Sequence, residues 1–108
     1  MSNPPLPVVY GPDARHDTVV RAAYLARHSG LHIADRFIAA IAHMLELVAQ
    51  APQAGRVFVS TTVQSPQLRY LHVPGAYHRT VVFYTITPSE IRVERVLHSA
   101  QGPPRTYS

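Results

Sequence analysis

The sequence predicts an α+β fold: an N-terminal short strand and a helical hairpin packed on a small antiparallel sheet. Two observations carry this. The first half holds one strong helical periodicity, in LHIADRFIAAIAHMLELVAQ, while the second half alternates in short β-patterned runs broken by Pro and Gly. Helices first and hairpin-linked strands after is the order expected of helices laid on one face of a sheet. At 108 residues the chain supports one modest core and not two, so residues 1–108 are expected to form one domain.

The elements follow in order. Pro4, Pro5 and Pro7 exclude a helix, and Val8, Val9 and Tyr10 suit a short first strand. Pro12-Asp13 then opens a helix, with Asp13 or Asp17 favourable near its positive end. Within it Val20 and Tyr24, with Ala23 and Arg27, fall at helical spacing, and Ser29-Gly30 stops it. In the second helix Ile33, Phe37, Ile41, Met44, Leu45 and Val48 make one apolar stripe, opposite Asp35, Arg36, His43 and Glu46. Pro52 and Gly55 end it after about Gln50.

GRVFVS and QLRYLHV lean towards strand, and YHRTVVFYTI is the clearest strand of all. There Val82, Tyr84 and Ile86 should face one way, and Val81 and Phe83 the other. Thr87-Pro88-Ser89-Glu90 reads as a turn into IRVERVLH, where Ile91 and Val93 share a face opposite Arg92 and Glu94. Adjacent Val96 and Leu97 break that alternation, which a bulge would explain.

Composition narrows the class of function. The chain is 46% hydrophobic and 15% charged, which is globular, and its ten basic residues are all Arg against six acidic ones. A net charge of +4 suits an acidic partner, nucleic acid or protein, and equally suits ordinary solubility. Arg in particular matches phosphates and carboxylates with two parallel bonds. With no Cys, disulfides and zinc–thiolate sites are excluded. No apolar run approaches the roughly 18 residues of a membrane span, and MSNPPLPVVYGP lacks the features of a secretory signal, so a cytoplasmic protein without membrane contact is expected. His28 and His32 are four apart, but Ser29-Gly30 interrupts the helix between them, so no metal and no cofactor is expected.

The pieces ADRFIAAIAHMLELVAQAPQAG, LRYLHV, YHRTVVFYTI and IRVERVLHSAQ, in that order, resemble the RelE/ParE toxin superfamily of type II toxin–antitoxin systems. The likeness covers roughly residues 6 to 102 and is closer to the ParE branch. It implies a toxin that inhibits DNA gyrase by binding, arrests growth, serves plasmid stabilisation and is neutralised in a hetero-oligomer by a cognate antitoxin. The alternative it implies is a RelE-like endoribonuclease that cuts mRNA on the ribosome. Gln101 stands where a basic residue is expected after RVLH, so a third reading is a degenerate, non-toxic member that keeps antitoxin binding.

The candidate residues for target or antitoxin binding are Arg69, Arg79, Arg95, His98, Gln101, Arg105 and Tyr107. A metal-free nuclease needs a base and clustered cations around the scissile phosphate. In that case Arg79, His98 and Tyr107 would carry the chemistry, Arg79 and Tyr107 by their places in the resemblance. Each has a plainer reading: Arg69 could fasten a loop, Arg79 could project into solvent, and His98 could be a hydrogen-bonded structural imidazole. The tail 102–108 is expected to be mobile, as chain ends commonly are. Binding to gyrase asks for shape and charge rather than a general base. The sheet face away from the helices, with Arg69, Arg79 and Arg92 or Arg95, is expected to supply both.

Overall fold

A computed structural model describes residues 4–59, 68–77 and 79–99. The chain runs through strand β1 (Val8–Tyr10), helices α1 (Pro12–Ser29) and α2 (Leu31–Gln50), and a 3₁₀ turn at Pro52–Ala54. Strands β2 (Arg56–Val57), β3 (Leu68–His72), β4 (Thr80–Ile86) and β5 (Ile91–His98) follow. They form one sheet in the order β1-β5-β4-β3-β2.

The expected antiparallel sheet holds from β2 to β5, but β1 pairs with β5 in parallel, Val8 opposite Ile91 and Tyr10 opposite Val93. The sheet is therefore mixed. Hairpin turns reveal antiparallel neighbours in a sequence, whereas a strand joining across a long connection leaves no local mark of its direction.

One residue, Gly30, joins the helices. Its φ of 96° lies where a side chain is disfavoured, and it ends α1 and starts α2 at once. The stripe on α2 faces the sheet as its spacing predicts: Phe37, Ile41, Met44, Leu45 and Val48 are buried, and Ile33 is half-buried. They pack on Val82, Tyr84, Ile91, Val93 and Val96. Each such side chain contributes about 1.5–3 kcal/mol on full burial. In α1 the buried side is instead Ala14 with Ala22 and Leu25 beside it, while Val20 and Tyr24 are 52% and 43% exposed. The helix is weakly amphipathic and alanine-rich, so spacing alone did not distinguish its inner face.

Val81 and Phe83 point away from the helices, as alternation predicts, and join Leu68, Leu97, Phe58 and Tyr70 in a second apolar cluster. Its rings meet edge to face, Phe58 on Phe83 at 5.6 Å and on Tyr70 at 6.2 Å. Thr87 forms the expected turn: its hydroxyl accepts the Glu90 N–H at 3.0 Å, and its own N–H bonds the Glu90 carbonyl at 2.9 Å. The suspected bulge is present. Opposite Phe83 stands Arg95 and opposite Tyr84 stands Val93, so Glu94 is the extra residue on β5.

Candidate binding surface

The site is built where β4 and β5 end together. Thr80 pairs with His98, and the Ser99 N–H closes the ladder on the Arg79 carbonyl at 2.6 Å. This places Arg79 and His98, two of the candidates, side by side. The bulge then turns β5 towards α1. Beyond the short β1 the edge of β5 would leave the Val96 N–H without a strand partner, and Asp17 accepts it at 3.0 Å. The same carboxylate takes two bonds from Arg95, at 2.8 and 2.9 Å, which hold the guanidinium the more firmly protonated.

One helical turn beyond Asp17, Arg21 lies over the Tyr24 ring at 4.7 Å, and Tyr24 stacks near His28 at 4.2 Å. Between this side of α1 and the strand ends runs a groove of about 350 Å³, walled by Val20, Arg21 and Tyr24 on one side and Thr80, Val96 and His98 on the other. A second cleft of about 230 Å³ opens on the opposite sheet face, among Phe58, Tyr70, His72, Phe83 and Leu97. His98 lines both. Burial lowers its pKa below the usual 6.5, and the charges of Arg21 and Arg79 lower it further. The ring is therefore neutral at pH 7, between two cations on one side and an aromatic floor on the other. Such a ridge can hold an anionic group and an apolar one next to each other.

The other candidates are placed differently. Arg69 sits opposite Tyr84 on the helix side of the sheet and donates to the Gly55 carbonyl at 2.8 Å and that of Gln53 at 3.4 Å. It fastens the loop after α2. Arg95 is committed to Asp17, so of the arginines expected on the far face Arg92 lies there, bonded to Glu94 at 3.2 Å. That face is aromatic at its β3 end rather than a row of cations, because β3 presents Leu68 and Tyr70 on it and Arg69 on the other. Gln101, Arg105 and Tyr107 lie outside the described residues. Sequence reasoning missed Arg21 and the use of Asp17. The available signal was their spacing with Tyr24, which puts all three along one side of α1.

Comparison with known proteins agrees with this architecture. The model of a family described as the ParE toxin of a type II toxin–antitoxin system, parDE, matches residues 8–103. A solved chain of a chromosomal ParDE TA system from P. aeruginosa superposes with a TM-score of 0.69 at 15% identity, over 86% of this chain and 95% of that one. At that identity the superposition speaks for the fold. No curated protein matches in sequence. The family match begins at β1, takes in both helices and every strand, and continues past the ridge at His98; the chain belongs to the ParE toxins of type II toxin–antitoxin systems.

Proposed function

We propose that this toxin inhibits DNA gyrase by binding, without catalysing a reaction itself, and that a cognate antitoxin neutralises it in a hetero-oligomer. The observation that carries the reading is the family match over residues 8–103. The geometry supports it in a second way. Arg69 and Arg95 have structural duties, while Arg21 and Arg79 both bring charge to bear on the neutral His98 beside an aromatic cleft. A compact ridge of charge beside rings suits a protein contact. A gyrase target would place the toxin in the cytoplasm.

The test is gyrase supercoiling and DNA cleavage with the purified chain, alone and with the antitoxin encoded beside it. Inhibition with accumulated cleaved DNA, reversed by the antitoxin, is the expected result. No effect at saturating protein would overturn the gyrase reading and direct the assay to ribosome-bound mRNA. There, Tyr107→Ala would abolish cleavage.

A further inference from the structure

Outside the groove, the bulge of β5 buries an acid that the binding surface does not use. Glu94 is 6% exposed, and its two oxygens face different donors: Thr85 Oγ1 reaches Oε2 at 3.2 Å and Arg92 Nε reaches Oε1 at 3.2 Å. These donors are not equivalent. A guanidinium only donates, whereas a threonine hydroxyl rotates to donate or to accept. Asp13, in the first turn of α1, brings a like charge to bear on the same carboxylate. Among the described residues these are the groups that act on Glu94 from β4, from β5 itself and from α1.

Arg92 has a second contact. A Cβ at Gly11 would stand 3.6 Å from its Nη2 and 3.7 Å from its Nε, so the guanidinium rests against this glycine. Gly11 is the joint at which β1 passes into α1. Its N–H bonds the Val93 carbonyl at 2.9 Å, and its own carbonyl accepts the Arg15 N–H at 3.0 Å, the first bond of the helix. One side chain thus touches both the carboxylate at the bulge and the joint from which α1 sets out. That side chain is 37% exposed, so water competes for it. The charge on Glu94 is what gives the bond to Oε1 its advantage over a bond to water.

We propose that Glu94 is a proton-operated latch on the joint between β1 and α1. Charged, it holds Arg92 against Gly11. When Oε2 takes a proton from solvent, the Thr85 hydroxyl turns from donor to acceptor and the buried oxygen keeps a partner. Oε1 is then a neutral acceptor, and the guanidinium is released to water. Burial favours the protonated form most strongly, the Thr85 bond and the charge and bond of Arg92 oppose it, and Asp13 favours it. The balance raises the pKa above the ordinary carboxylate value. On acidification the latch therefore opens before exposed carboxylates take up their protons.

The experiment is an NMR titration of the full chain downward from about pH 8 into the ordinary carboxylate range. It follows the Glu94 carboxyl carbon, the Arg92 Nε–H and the NOE between the Gly11 Hα and the Arg92 side chain. All three should change together, at one midpoint above the ordinary carboxylate value, with the NOE lost on the acid side. In Glu94→Gln that transition should be absent from the Arg92 and Gly11 signals. Asp13→Asn, on an exposed residue, should move the midpoint down, read at low salt where exposed charges are least screened. It supplies the second variant if Glu94→Gln fails to fold. Arg92 and Gly11 signals that stay still while the Glu94 carboxyl titrates would overturn the latch, as would the same transition persisting in Glu94→Gln. A midpoint that Asp13→Asn leaves unchanged would overturn the coupling to α1.

Discussion

Tyr84 shows how much one side chain can organise. Its ring is fully buried under α2, and its hydroxyl reaches the loop after that helix, donating to the Pro52 carbonyl at 2.7 Å and accepting the Gly55 N–H at 2.8 Å. Burial pushes its pKa up, so it stays a neutral donor. Tyr84→Phe keeps the ring and strands both loop groups, and should cost about 1–3 kcal/mol in urea unfolding. Gly55 leaves no room for a Cβ against that hydroxyl, so Gly55→Ala should damage the same loop. Asp17 does comparable work at the other end of the sheet. Asp17→Ala leaves Arg95 and the Val96 N–H unpaired, and since the pair is partly exposed a loss of about 1–3 kcal/mol is expected. Unfolding that matches wild type would show the bulge to be held by β4 alone. Both duties were half legible. Alternation put Tyr84 on one face with Val82 and Ile86, and the bulge was suspected from Val96-Leu97, but nothing local announces a bond between residues far apart in sequence.

At the scale of elements, legibility followed the strength of the periodic signal. The stripe of α2 is long and unambiguous, because its large side chains fall on one face and its polar ones on the other. Spacing left the inner face of α1 unassigned, because small alanines do its packing while its larger apolar residues, Val20 and Tyr24, stand at the groove. The same ambiguity hid the binding surface, since Asp17, Arg21 and Tyr24 lie together on that helix. A functional face that must stay open carries apolar residues without burying them, and a pattern that equates apolar with buried reads it inside out. The joint between the helices gives a sharper prediction. Gly30 holds φ at 96° with nothing within 4 Å of where a Cβ would stand, so its cost to any other residue is backbone strain alone. Gly30→Ala should destabilise by about 1–2 kcal/mol. A neutral effect on the unfolding midpoint would mean the hairpin tolerates another turn geometry.

The whole molecule adds up its charges through stability, and two groups in it pull against each other with pH. Glu94 is 6% exposed, bonded to Thr85 at 3.2 Å and to Arg92 at 3.2 Å, yet burial outweighs these partners and raises its pKa above the ordinary carboxylate value. The native state therefore holds this proton more tightly than the unfolded chain. Its contribution is fully present below the unfolded pKa and is lost as pH rises through the folded one. His98 has the opposite sign. Its folded pKa lies below 6.5, so its contribution is present above that value and is lost as pH falls through the folded pKa. Glu94→Gln removes the first dependence. The amide bonds Arg92 and Thr85 differently from the carboxylate, which adds an offset, but that offset does not change with pH. The variant should therefore gain on wild type as pH rises from the ordinary carboxylate value to Glu94's raised one, and hold a constant difference beyond it. His98→Asn should gain on wild type in the other direction, as pH falls below 6.5. Urea unfolding of the three proteins from about pH 4 to pH 8 reads both slopes at once. Parallel curves for wild type and Glu94→Gln would mean that the Thr85 and Arg92 bonds offset the burial of the carboxylate in full. Arg79→Gln, by removing one of the charges facing His98, should bring that imidazole's titration back up towards 6.5 and shrink its slope with it. The ridge proposed for binding would then be the part of the molecule whose charges set how its stability responds near neutral pH.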